Sequence, residues 1–299
     1  MTSALDYPWL AGVIADLPTP FDEHDGIDLI AFARLCEQQV EADVSALLVG
    51  ETMGELPTLT IDEHDALVRT AVATARGRVK VIAGAGSNAT AHAITLTQNV
   101  EAAGADAILS VVPYYNRPTQ AGIAAHFRAV AAATSLPIIV HDAPCRTMRP
   151  LADETLLQLA ESAQFIGLCD GSGDITRPLR LRGGLPRGFR LLSGHNATTM
   201  AFLFYAGDGS ICSIASITPG LMHELYQTGR QQGAVYATHL MDRIAPLATV
   251  LAQDATPASL KYALSLRDLC LPRVRLPIVA LARPEKTAIA EAMAAALGP

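Results

Sequence analysis

The sequence predicts an α/β protein, a (β/α)8 TIM barrel with a C-terminal helical extension. Three observations predict it. Eight short apolar or β-branched runs recur along the chain, and most are followed by a stretch with helical periodicity. Runs such as residues 107–112 are apolar on both faces, as parallel strands covered on both sides must be. No linker-like segment interrupts the alternation. An open doubly wound sheet would place a Gly-rich phosphate turn after the first strand, where the chain has Leu17-Pro18-Thr19-Pro20.

Taken in order, the strands are read at residues 12–17, 44–49, 79–83, 107–112, 137–141, 164–169, 190–193 and 210–214. Helices are read between them at 29–41, 61–75, 88–103, 119–133, 152–162, 174–181 and 197–206. Asp28 stands where an N-cap is needed, and Thr60 with Glu63 has the spacing of a capping box. Three further helical segments follow, near 220–231, 234–251 and 257–269. The chain is therefore divided into a barrel over 1–219 and a helical region over 220–299 packed on it.

Of the 299 residues 50% are hydrophobic and 17% charged, enough apolar material for a large core, and the formal net charge is −7. A nucleic-acid or anionic-membrane partner would need a basic face. The densest basic stretch, Arg177, Arg180, Arg182, Arg187 and Arg190, is read as a solvated helix face and loop. The five cysteines are odd in number and widely spaced, which argues against a disulfide framework. No leader pattern and no apolar run of about 18 residues is seen, so a cytoplasmic location is expected.

In such a barrel the loops after the strands build the active site. After the second strand comes Gly50-Glu51-Thr52-Met53-Gly54-Glu55, a turn whose N–H and hydroxyl groups suit a carboxylate. After the fourth comes Pro113-Tyr114-Tyr115-Asn116-Arg117-Pro118. The fifth ends in His141-Asp142-Ala143-Pro144-Cys145-Arg146-Thr147. The sixth ends at Cys169-Asp170 before Gly171-Ser172-Gly173-Asp174, and the seventh at Ser193-Gly194-His195-Asn196. Asp170 and Asp174 are read as caps of the following helix. His24, His64, His92, His126, His223 and His239 are read as structural or solvated.

These segments, with Ile82-Ala83-Gly84 and Thr256-Pro257-x-x-x-Lys261, resemble the dihydrodipicolinate synthase/N-acetylneuraminate lyase family over nearly the whole chain. The resemblance implies a pyruvate-type 2-oxo acid as ligand, a homodimer or homotetramer, and no cofactor. It also implies an imine formed by a lysine at the end of strand six and a tyrosine at the end of strand five that relays protons. By motif position it gives Thr52 and Tyr115 catalytic roles, with Tyr115 lent by a neighbouring subunit, and it gives Arg146 the substrate carboxylate. Met53, Gly194 and Ile211 join Thr52 and Arg146 as expected substrate contacts.

Three positions depart from the pattern. His141 stands at the tyrosine position, Met53 at a threonine, and Cys169 at the lysine. The remaining lysines, Lys80, Lys261 and Lys286, are placed in sequence away from the catalytic end. Three readings compete. One is a lyase acting on a 2-oxo acid by a non-imine route, with His141 as acid–base group and Cys169 as a second catalytic candidate. Another is a non-catalytic 2-oxo-acid-binding or regulatory protein. The last is a metal-dependent lyase or hydrolase with His141, Cys169 and His195 as ligands and Cys145 and Asp170 nearby.

Overall fold

The computed structural model describes residues 7–253 and 256–298. Eight parallel strands close into a barrel in sequence order. They are β1 (Gly12–Asp16), β2 (Ala46–Val49), β3 (Lys80–Gly84), β4 (Ala107–Val111), β5 (Ile138–Asp142), β6 (Phe165–Asp170), β7 (Arg190–Ser193) and β8 (Gly209–Cys212). The last strand pairs with the first, Ile14 facing Ile211 in register. Each differs from its expected span by at most two residues at an end, because strand ends fray into the turns that leave them.

Side chains alternate between two cores. Ile14, Leu48, Ile82, Leu109, Ile139, Ile166, Leu192 and Ile211 fill the barrel lumen, with Cys169 among them. Leu10 enters the same cluster, and Tyr7 and Trp9 pack against it. Outward-facing residues such as Val13, Leu47, Val81, Ile108, Val140 and Leu168 join the helix-lined outer core.

The helices follow their capping signals. α1 (Leu29–Glu41) begins at Asp28, whose carboxylate accepts the Ala31 N–H, and α2 (Ile61–Ala75) begins at Thr60 with the capping box formed. α3 (Thr90–Ala102) and α4 (Gln120–Ala131) follow. A short α5 (Pro144–Thr147) comes directly after β5, and α6 (Asp153–Ala160) returns the chain to β6. Then come α7 (Arg177–Arg182), α8 (Thr199–Phe204) and α9 (Ser213–Ile217).

α10 (Pro219–Gln231), α11 (Ala234–Gln253) and α12 (Pro257–Ser265) match the expected C-terminal segments, and α13 (Arg283–Leu297) adds one that was not expected. Tyr226 Oη donates to the Asp208 carbonyl at 2.8 Å, and Leu240, Leu260 and Ile289 share the outer core with barrel residues. No helix among the described residues is long and apolar enough to cross a membrane.

The basic stretch near α7 is a solvated face only in part, with Arg180 and Arg187 exposed. Arg177 is buried, because its guanidinium bonds Asp142 at 2.7 Å, Asp153 at 2.8 Å and the Leu151 carbonyl at 2.8 Å. Arg182 likewise bonds Asp208 at 2.6 Å. Net charge along a segment carries no information about such partners, which arrive from other strands.

Candidate active site

The C-terminal mouth of the barrel opens into a cavity of about 370 Å³. Thr52, Met53, His141, Arg146, Cys169, Gly194 and Ile211 all line it, as do Asp16 and Glu51, which the sequence reading did not single out.

Glycines shape the wall after β2. Gly50 has φ +62°, and a Cβ there would lie 2.4 Å from the His64 ring. A Cβ on Gly84 would strike the Gly50 carbonyl oxygen at 2.0 Å, so β3 needs a glycine there to let the loop fold over it. Thr19 Oγ1 donates to the Gly54 carbonyl at 2.7 Å and fastens the loop to the turn after β1. The result holds Glu51 against the lumen, buried.

Glu51 and His141 form the electrostatic centre. Glu51 Oε1 lies 3.0 Å from His141 Nδ1, and its Oε2 accepts the Thr52 N–H. Burial would push Glu51 up, but the imidazolium and the two contacts with Thr52 outweigh it and bring it down to about 2. Burial would lower His141, and Glu51 reverses that, so its pKa is raised. An ionised carboxylate only accepts, so Nδ1 carries a proton and Nε2 remains for exchange with a ligand. The Thr52 amide, expected to greet a substrate carboxylate, is thus already engaged by the chain's own side chain.

Cys169 faces His141 in register across the β5–β6 pair and is 1% exposed. Phe165 pairs with Ile138 and Gly167 with Ile139, so one residue of β6 bulges just before the site. Burial, then the carboxylates of Glu51, Asp170, Asp16 and Asp142, push the thiol well above its ordinary range. Cys169 is therefore a neutral thiol, which disfavours thiolate attack on a carbonyl.

Asp16 ends β1 in the same cavity. It is buried, its Oδ1 has no hydrogen-bond partner, and burial together with Glu51 raises it well above the usual carboxylate range, with Arg146 opposing. The sequence did carry a signal for it: an acid closing an otherwise apolar strand, Gly12-Val13-Ile14-Ala15-Asp16. Glu51 had none, since its partner His141 lies 90 residues further along the chain.

Tyr115 stands apart. Its side chain is 89% exposed on a backbone with φ +67°, and it does not line the cavity of its own chain. The three lysines do not line it either. Lys80 bonds Asp106 at 2.7 Å, and Lys286 lies over the Tyr262 ring. Lys261 is fully buried, bonded to Glu55 at 2.5 Å and to the Arg273 carbonyl at 2.8 Å, above the Phe21 ring.

The metal-ligand arrangement is not formed. Among the described residues no group of three or more His, Cys, Asp or Glu side chains is placed to hold an ion. His141 Nδ1 turns to Glu51, and His195 Nδ1 to Thr198 at 3.0 Å. Asp170 and Asp174 do not cap the helix: α7 has Thr176 as its N-cap residue, with no side-chain capping bond. They brace the preceding loop instead, accepting from the Ser172 and Thr176 N–H groups, and Asp170 lies 3.4 Å from Arg177.

Comparison with known proteins agrees with this architecture. The model of the dihydrodipicolinate synthetase family matches residues 9–296. The 4-hydroxy-tetrahydrodipicolinate synthase of Thiobacillus denitrificans is 39% identical over 282 residues, covering 94% of this chain and 95% of that one. The solved structure of the synthase from Methylacidiphilum fumariolicum superposes with a TM-score of 0.93 at 33% identity, covering 96% of each chain. The chloride-inhibited dihydrodipicolinate synthase of Acinetobacter baumannii, solved in complex with pyruvate, gives 0.91 at 32%, covering 96% of this chain and 98% of that one.

Proposed function

From the premise that this chain belongs to the dihydrodipicolinate synthetase family, we propose that it is a lyase acting on a pyruvate-type 2-oxo acid without forming an imine. The observation that carries this is the composition of the cavity: a neutral thiol at Cys169, no lysine in the lining, and a buried His141–Glu51 pair beside it. An imine needs a primary amine, whereas an acid–base step needs a group that can gain and lose a proton near neutrality.

In this reading Arg146 holds the substrate carboxylate by charge-assisted hydrogen bonds. His141 moves the proton through Nε2, and Glu51 positions its ring. The Thr52 hydroxyl contacts the substrate, Met53, Gly194 and Ile211 shape its place, and Cys169 fills the floor. Tyr115, exposed on its own chain, completes the site of a second copy in a homo-oligomer.

Borohydride reduction in the presence of pyruvate, followed by intact-protein mass spectrometry, tests the reading. The expected mass is unchanged, while calorimetry shows pyruvate binding that weakens about 10- to 100-fold in Arg146→Ala. A pyruvyl adduct on any lysine overturns it. A second reading, binding of a 2-oxo acid without turnover, is favoured by the thiol's neutrality and by the prior engagement of the Thr52 amide. Thermal stabilisation without turnover supports that second reading, and measurable turnover excludes it.

A further inference from the structure

Abstracting a proton beside a ketone leaves electrons that must settle on the ketone oxygen when no imine nitrogen is present. The cavity has to offer that oxygen a hydrogen-bond donor in a place shielded from water. His141 on β5 is placed as the base. Glu51 only accepts, and the Cys169 thiol is a weak donor.

Asp16 is the group left over. It closes β1, on the side of the barrel opposite β5, so a ligand in the cavity lies between it and His141. It is more than nine-tenths buried, and its Oδ1 meets no partner among the described residues. A buried carboxyl oxygen with nothing to bond is costly unless a ligand completes it. The nearby Glu51 carboxylate and the low exposure favour the protonated form, in which an acid becomes a donor.

We propose that Asp16 is a further catalytic residue, whose neutral carboxyl donates to the keto oxygen of the bound 2-oxo acid and stabilises the enolate made by His141. The assignment rests on the non-imine reading above. In the step, the C3–H proton passes to His141 Nε2 and its bonding pair forms the C2–C3 double bond. The carbonyl π pair moves onto the keto oxygen, which takes the hydrogen bond from Asp16. Reversal in D2O returns a deuteron from His141 to C3, so nothing is oxidised or reduced.

Proton NMR of pyruvate, 2-oxobutyrate and 2-oxoglutarate in D2O reads this step directly as loss of the C3 signal. The wild-type protein is expected to exchange at least one of the three. Asp16→Ala should exchange it about 100-fold more slowly, the usual loss for one oxyanion donor. Asp16→Asn, whose amide also donates without charge, should stay within about tenfold of wild type. Exchange by Asp16→Ala within threefold of wild type, or equal losses in the two variants, overturns the role of Asp16 and leaves the non-imine reading standing. If the alanine protein does not fold, the asparagine protein decides: retained exchange supports a neutral donor, and lost exchange excludes it. No exchange of any of the three acids by the wild type overturns both.

Discussion

Replacing Glu51 with Gln tests the electrostatic centre directly. The substitution keeps the shape and removes one negative charge 3.0 Å from His141 Nδ1. At that separation, in an effective dielectric of about 20, a unit charge pair attracts by about 5 kcal/mol. Much of this offsets the burial that would otherwise hold the imidazole neutral, so the His141 pKa should fall once the charge is gone. Titration of the ring nitrogens by NMR measures it. The stability consequence has a defined window. Glu51 is depressed from 4.5 to about 2, so its contribution is complete above 4.5 and is lost as pH falls through about 2. His141 is raised from 6.5, so its contribution is complete below 6.5 and is lost as pH rises through the raised value. The variant should therefore lag wild type most between pH 4.5 and 6.5, by about 3 kcal/mol in urea denaturation. A His141 titration that moves by less than about 0.3 units would falsify the pairing as the cause of the shift.

The other predictions concern packing and reactivity. Of the five cysteines only Cys145 is exposed, and burial holds Cys212 and Cys270 up at about 11, so the native protein should react rapidly with one equivalent of a disulfide reagent such as DTNB. Five equivalents should appear on denaturation, and rapid native modification of Cys169 is the contrary result. Gly194→Ala would place a Cβ 2.9 Å from Cys169 Sγ, costing about 1–3 kcal/mol and weakening pyruvate binding. The same change in a Cys169→Ala background should cost much less, and an equal cost there removes the contact as its cause. Lys261→Met strands the buried Glu55 carboxylate and should destabilise by about 3–5 kcal/mol, with Glu55→Gln in the same chain recovering part of it. A loss below about 1 kcal/mol in urea would show that the pair is not needed for the fold.

The barrel was legible because its physics is local. A strand buried on both faces has to be apolar throughout, and Ala107–Val111 and Ile138–Asp142 show this in their first residues. Asp28 and Thr60 announce their helices because a hydroxyl or carboxylate must meet orphan N–H groups. α13 escaped notice because a run such as Ala294-Ala295-Ala296 gives it little contrast between faces, although Pro284 and Glu285 mark its start. The site was legible at strand ends and loop motifs, and Thr52, Met53, His141, Arg146, Cys169, Gly194 and Ile211 share one cavity. Asp16, Glu51 and Arg177 act through partners from distant strands, and no spacing rule links residues 51 and 141.

The residues at the mouth make chemical sense as a set. Burial first, and then the acids around it led by the Glu51 carboxylate, raise the pKa of the group at position 169. Such a field makes a thiol inert. It would favour the protonated form of an amine as well, whereas burial, which raises a thiol, lowers an amine, so the two effects oppose each other for a lysine. The same field suits a histidine that must be charged for part of a proton-transfer cycle, and Glu51 supplies its partner at 3.0 Å. A mouth lined by Glu51 therefore favours a charged histidine at position 141, and burial leaves the thiol beside it neutral.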